Sequence, residues 1–115
     1  MEYLLVKIKS SIRKIIIAEI VCIVYKDGQN TLYKTDGSKT LYCSSLIKLE
    51  NQLPDCFIRI NRHVIINTKC VASIHKNNKK VTLNNDETFD VSRRKRTLLV
   101  KAFNKYLEDL NNEVE

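Results

Sequence analysis

The sequence predicts a mainly β fold of about ten short strands, with one short helix between strands and a second helix near the C-terminal end. Three observations carry this. Apolar residues rich in Ile, Val, Leu and Tyr come in short runs, several alternating with polar residues at the period of a strand. Turn-forming groups at Asp27-Gly28, Asp36-Gly37, Asn77-Asn78 and Asn84-Asn85-Asp86 separate those runs at intervals too short for ordinary helices. Only two segments place apolar residues at helical spacing.

In chain order, Leu4, Val6 and Ile8 alternate with Leu5, Lys7 and Lys9, and a second run from Ile12 to Ala18 leads almost directly into Ile20 to Tyr25. Asp27-Gly28 turns the chain into Thr31 to Lys34, and Asp36-Gly37 turns it into Thr40 to Cys43, so two consecutive hairpins are expected. From Ser45 to Leu53, Leu46, Leu49 and Leu53 share one helical face, Ser44 or Ser45 can cap the start, and Pro54 stops the run. Strands follow at Phe57 to Ile60, Val64 to Ile66, Val71 to Ile74, Lys80 to Leu83 and Thr88 to Val91. The last helix starts after Ser92 and carries Leu99, Ala102, Phe103, Tyr106 and Leu110 down one stripe into an acidic tail, Glu108 to Glu115.

A chain of 115 residues is one domain's worth, here a single domain over 1–115 with its core at about 3–107. Its longest apolar stretch, Ile15 to Tyr25, is interrupted by Glu19 and falls well short of the roughly 20 residues a membrane-spanning helix needs. The N-terminus has an acid, Glu2, where a signal peptide carries bases, so the expected location is the cytoplasm and no membrane-spanning segment is implied. Cys22, Cys43, Cys56 and Cys70 are widely spaced and sit in apolar runs; they read as small hydrophobes in a reducing compartment, with no cofactor and no metal implied.

The formal charge is +7, but residues 1–105 hold all 20 basic residues against nine acids, a balance of +11, while the last ten residues are −4. Nucleic acid is the leading partner for such a surface, and an anionic membrane surface the second. The first turn after Ser92 reads Arg93-Arg94-Lys95-Arg96, four bases where the unpaired N–H groups of a helix start already make the field positive. An anion placed opposite makes sense of that choice, and a solvated charge run is the competing reading. Lys76, Lys79 and Lys80 surround the Asn77-Asn78 turn, as a solvated loop or as phosphate contacts. Arg59, Arg62 and His63 interrupt the otherwise core-like run Phe57 to Asn67, which turns outward near Asn61-Arg62. The arginine fork suits guanine in a major groove; a salt bridge to Glu50 or Asp55 is the structural alternative.

The order Glu19 to Ile23, Thr35-Asp36-Gly37, Leu46 to Leu53, FIRINRHVIIN from Phe57 to Asn67, Ile74, and Phe89-Asp90-Val91-Ser92-Arg93-Arg94 resembles the LytTR DNA-binding domain over about residues 3–107. The most specific part is F-x-R-x-x-R-x-x-x-x-N, followed 24 residues later by V-S-R-R. The resemblance implies small antiparallel sheets and a transcription regulator that places loops into successive major grooves of double-stranded DNA, usually at paired direct repeats, as a possible homodimer on the DNA. It implies base-reading contacts at Gln29 or Asn30, at Arg62 with Asn61 and His63, and at Arg94, and an orienting or backbone-contacting role for Arg59. Neither a receiver domain nor a membrane segment fits in this length, so a DNA-binding module by itself is expected. The rival readings are a β-rich RNA or single-strand binder, which needs exposed aromatics for stacking whereas Tyr3, Tyr25, Tyr33, Tyr42, Tyr106 and the three Phe lie in strand or helix stripes that read as core, and a hydrolase or nuclease using His63 or His75 with Asp86 or Asp90, which no ligand spacing supports.

Overall fold

The structure is a computed structural model that describes residues 2–75 and 77–114; Lys76, one of the three lysines of the Asn77-Asn78 turn, lies outside the described residues. Among the described residues, ten strands and two α-helices run in the order β1 (Tyr3–Ile8), β2 (Ser11–Ile16), β3 (Ile20–Lys26), β4 (Gln29–Lys34), β5 (Lys39–Tyr42), α1 (Leu46–Gln52), β6 (Phe57–Asn61), β7 (Val64–Asn67), β8 (Val71–His75), β9 (Lys80–Leu83), β10 (Thr88–Asp90) and α2 (Arg96–Val114). All pairings are antiparallel, in three sheets: β1-β2, β5-β4-β3-β7-β6 and β10-β9-β8.

The local signals act as expected. Gly28 and Gly37 both adopt positive φ, 80° and 86°, the conformation their hairpin turns require and a side chain resists. Ser45 supplies the α1 cap, its Oγ accepting the Lys48 N–H at 3.1 Å, and Leu46, Leu49 and Leu53 are all buried.

The five-stranded sheet is covered on both faces, which is why β3 reads as a continuous apolar run instead of an alternating one. On one face, Ile20, Ile23, Leu32 and Ile65 pack with Leu4, Val6 and Ile15 of the first hairpin and with Leu46, Leu49 and Leu53 around α1. On the other, Val21, Cys22, Ile58, Ile60, Val64 and Ile66 pack with Val81 and Leu83 of the three-stranded sheet and with Leu99 of α2.

Three expectations meet corrections. The cysteines are not uniformly core residues: Cys22 and Cys70 are buried, Cys56 is half-buried and Cys43 is exposed, one residue past the edge strand β5. The aromatics are not all in packed stripes, since Tyr3 lies on the outer face of the β1-β2 hairpin with Leu5 and Ile12. The α2 stripe leaves the core before its end: Leu99 is fully buried, whereas Leu110 is exposed.

Candidate nucleic-acid interface

The bases of residues 59–63 owe their position to a β-bulge. Arg59 pairs with Ile65 and Asn61 with Val64, so Ile60 is an extra residue in β6; it turns into the core, and the chain beyond it is re-aimed outward. The resulting turn is tightly braced. The Asn61 Oδ1 accepts the His63 N–H at 2.8 Å, an Asx turn, and Tyr25 donates its N–H to the His63 carbonyl at 2.7 Å. Arg59 Nη2 donates to the Arg62 carbonyl at 3.0 Å, and Arg59 Nη1 stands 4.0 Å from Glu50 Oε1. The anticipated Arg59–Glu50 pair therefore exists at the limit of ion-pair distance, and the firmer bond holds the turn. The side chains of Arg62 and His63 are exposed.

The second basic segment, Arg93–Lys95, is a 3-10 turn leading into α2 at Arg96. Arg93 and Arg94 are exposed, and Lys95 and Arg96 are half-buried. The segment is fastened to the first one through residues 90–92. Ser92 donates its N–H to the Ile60 carbonyl at 2.8 Å, and Asn61 Nδ2 donates to the Asp90 carbonyl at 2.7 Å. Arg59, Arg62, Arg94 and Lys95 consequently line one open cleft of about 510 Å³ together with Asn61 and Ser92, and with Glu50 as its one acid among the described residues. Such a concentration of guanidinium and ammonium groups around an open concavity suits a polyanion.

The third segment joins the same strut from the other side. Val91 donates its N–H to the Lys79 carbonyl at 2.8 Å, and Lys80 Nζ sits 2.6 Å from Asp90 Oδ1. Lys79 is exposed and Lys80 half-buried. The strut Asp90-Val91-Ser92 thus touches all three basic segments. The hydrogen-bond pattern that makes it central links residues up to 32 positions apart, so local patterning carries no sign of it.

The early loop behaves differently at its two candidate positions. Gln29 is exposed at the start of β4, beside Gly28, which lines a neighbouring cleft of about 410 Å³ together with Tyr25, Ser44, Arg59 and Arg62. Asn30 is fully buried; its Nδ2 donates to the Ser44 carbonyl at 2.7 Å and its amide faces the protein interior. Ser44, Ser45 and Tyr25, none of them picked out by charge or motif, thereby border the same face as Arg62.

Among the described residues no group of three or more His, Cys, Asp or Glu is placed to hold a metal ion, and no helix is long and apolar enough to cross a membrane. His75 Nε2 lies 3.2 Å from Thr82 Oγ1, an ordinary strand contact. Burial pushes the Cys22 thiol up to about 12, and burial likewise raises Cys70 and Cys56 above the usual thiol range, so these sulfurs are held as neutral thiols at neutral pH.

Comparison with known proteins agrees with this geometry. No curated protein matches the sequence. A solved LytTr DNA-binding domain from Bacillus cereus superposes with a TM-score of 0.67 at 21% identity, covering 93% of this chain and 97% of that one, which establishes the shared fold. The family model of the LytTr DNA-binding domain matches residues 10–104, nearly the whole span that carries the three sheets and the basic cleft. This chain belongs to the LytTr DNA-binding domain family.

Proposed function

We propose that this protein is a sequence-specific transcription regulator of double-stranded DNA that inserts turns into successive major grooves, two copies occupying paired direct repeats. The observation that carries this reading is the junction of two arginine-bearing turns, Arg62 and Arg94, in one cleft. Two rigidly related arginine forks can address guanines on one face of a duplex, which isolated lysines cannot do with comparable geometry. Family membership supports DNA as the partner.

In this reading Arg62 and Arg94 read bases, with His63 and Gln29 at the flanks. Gln29 is favoured over Asn30 because Asn30 is fully buried, with its Nδ2 donating to the Ser44 carbonyl. Arg59 orients the Arg62 turn, while Arg93, Lys95, Arg96 and Lys79 hold phosphates. The body at residues 3–107 binds DNA, the acidic end of α2 stays clear of it, and the protein works in the cytoplasm without a catalytic step.

Selection of bound fragments from random duplex DNA tests the proposal, and should return a short motif repeated in the same direction. Affinity of one copy for the selected duplex should fall with salt at a log–log slope of roughly −3.6, as about four phosphate contacts imply. A slope shallower than about −2, or tighter binding to single strands than to duplex, would sink the proposal.

A further inference from the structure

We infer that Asn61 is a positioning residue whose amide locks the two arginine turns into one rigid reading unit; this rests on the base-reading role proposed for Arg62 and Arg94. Asn61 is half-buried between the turns, and both ends of its amide are occupied. The Oδ1 accepts the His63 N–H at 2.8 Å, closing the Arg62 turn. The Nδ2 donates to the Asp90 carbonyl at 2.7 Å, on the strand that ends three residues before Arg93. A side chain with one acceptor and one donor a fixed distance apart is the simplest device for this task, since it specifies the shape of one turn and its distance from the other together.

The surroundings make this amide the adjustable member of the junction. The backbone bond from Ser92 N–H to the Ile60 carbonyl, 2.8 Å, also joins the two segments, but it ends on the residue the bulge leaves without a partner in β7. Ile60, Val91 and Leu99 pack in one core beneath the junction, and the Asn61–Asp90 bond adds a second polar attachment beside the backbone one, at the level of the Arg62 turn itself. The Lys80–Asp90 ion pair lies on the other side of the same strand, so Lys80 serves the junction as well as any phosphate it meets.

Base reading needs the two forks held to within a fraction of an ångström of the guanine acceptors, whereas phosphate holding tolerates movement. Loosening the junction should therefore damage discrimination more than overall affinity. Asn61→Ser is the informative variant: the serine hydroxyl can keep the local turn to the His63 N–H, but it is too short to reach the Asp90 carbonyl. Asn61→Ala removes both bonds.

The test measures Asn61→Ser and Asn61→Ala on the selected duplex and on a random duplex, after thermal unfolding has shown each variant folded. Both should lose about tenfold or more on the selected duplex and less than about twofold on the random one. A double-mutant cycle then supplies the readout that a purely structural role would leave in place. In the native background the losses from Arg62→Ala and Arg94→Ala should be non-additive; in the Asn61→Ser background they should multiply independently. Amide hydrogen exchange checks the junction without DNA: Asn61→Ser should speed exchange at Ser92 by about tenfold relative to the strand amides of β3. Unchanged exchange at Ser92 overturns the inference whatever the DNA does. Equal loss on both duplexes, or coupling between Arg62 and Arg94 that persists in Asn61→Ser, overturns it too. If exchange speeds up at Ser92 but selection returns no preferred duplex, the base-reading proposal fails and the reading unit falls with it.

Discussion

The β6–β7 turn and the β8–β9 turn both carry bases, and they are built in opposite ways. The first is braced by Asn61, Arg59, Tyr25 and Ser92, so its backbone is defined from four directions and Arg62 projects from a fixed platform. The second passes through Asn77 and Asn78, both at positive φ of 58° and 67°, with exposed side chains, and exposed Lys79, just before β9, accepts the Val91 N–H on its carbonyl. The difference teaches which base does what. A guanidinium on a braced turn retains its orientation and can distinguish base edges, while an ammonium on a simple turn is a point charge that follows the phosphate backbone.

The largest effect expected from this contrast comes from the braced side. Arg62→Ala and Arg94→Ala should each cost about 1 to 3 kcal/mol on the selected duplex and much less on random duplex, flattening discrimination at one or two base pairs. Equal losses on both duplexes in a folded variant would break the comparison, because the braced turns would then be holding phosphate like the others.

Next in size is the division between Gln29 and Asn30, which sharpens the comparison within a single turn. Asn30→Ala leaves the Ser44 carbonyl without its donor in a part-buried position, so urea unfolding should show a loss of about 1 to 3 kcal/mol. Gln29→Ala should leave unfolding unchanged within about 0.5 kcal/mol and alter only DNA binding. Reversal of that pattern would mean that the early loop is arranged differently on DNA.

Smaller effects belong to the lysines. Lys79→Ala should weaken selected and random duplexes by similar factors and reduce the salt slope by about one unit. Lys80→Ala should change the slope by less than Lys79→Ala, because Lys80 already faces Asp90 at 2.6 Å. As an exposed pair it adds little stability, so a folding defect in Lys80→Ala would be unexpected.

The smallest effect is on the cysteines, and it separates surface from core. At pH 8, alkylating reagents should modify exposed Cys43 first and leave Cys22 untouched, since burial holds its thiol neutral until about pH 12. DNA affinity should be unchanged by the Cys43 adduct. Rapid labelling of Cys22 in the folded protein, followed by mass spectrometry, would contradict the covered face of the central sheet.

Much of the architecture was legible because the signals for it are short-range. Asp27-Gly28 and Asp36-Gly37 need only their own φ preferences to make hairpins, and Leu46, Leu49 and Leu53 need only a helical period and the Ser45 cap to make α1. The basic segments were equally visible as clusters in the chain. Sidedness was harder. Asn30 stands next to Gln29 and has nearly the same chemistry, yet one faces the interior and the other solvent, because neighbouring strand residues point to opposite faces and only the packed partner decides which face is covered. Tyr3 and Ile12 look like core in the sequence, yet with Leu5 they lie exposed on the outer face of the first hairpin, where Lys14 stands over the Tyr3 ring.

The sequence by itself determined the strand and helix inventory, the turns, the basic segments and the family, since each depends on residues within a few positions of one another or on their linear order. The tertiary structure alone decided that Ile60 is the extra residue of a bulge, that Asn61 meets the Asp90 carbonyl 29 residues away, and that Lys80 is paired while Lys79 stands exposed. The physical reason is one of range. Backbone preference and apolar period act over one or two turns of chain, whereas a hydrogen bond across the fold exists only after two cores have brought its ends together.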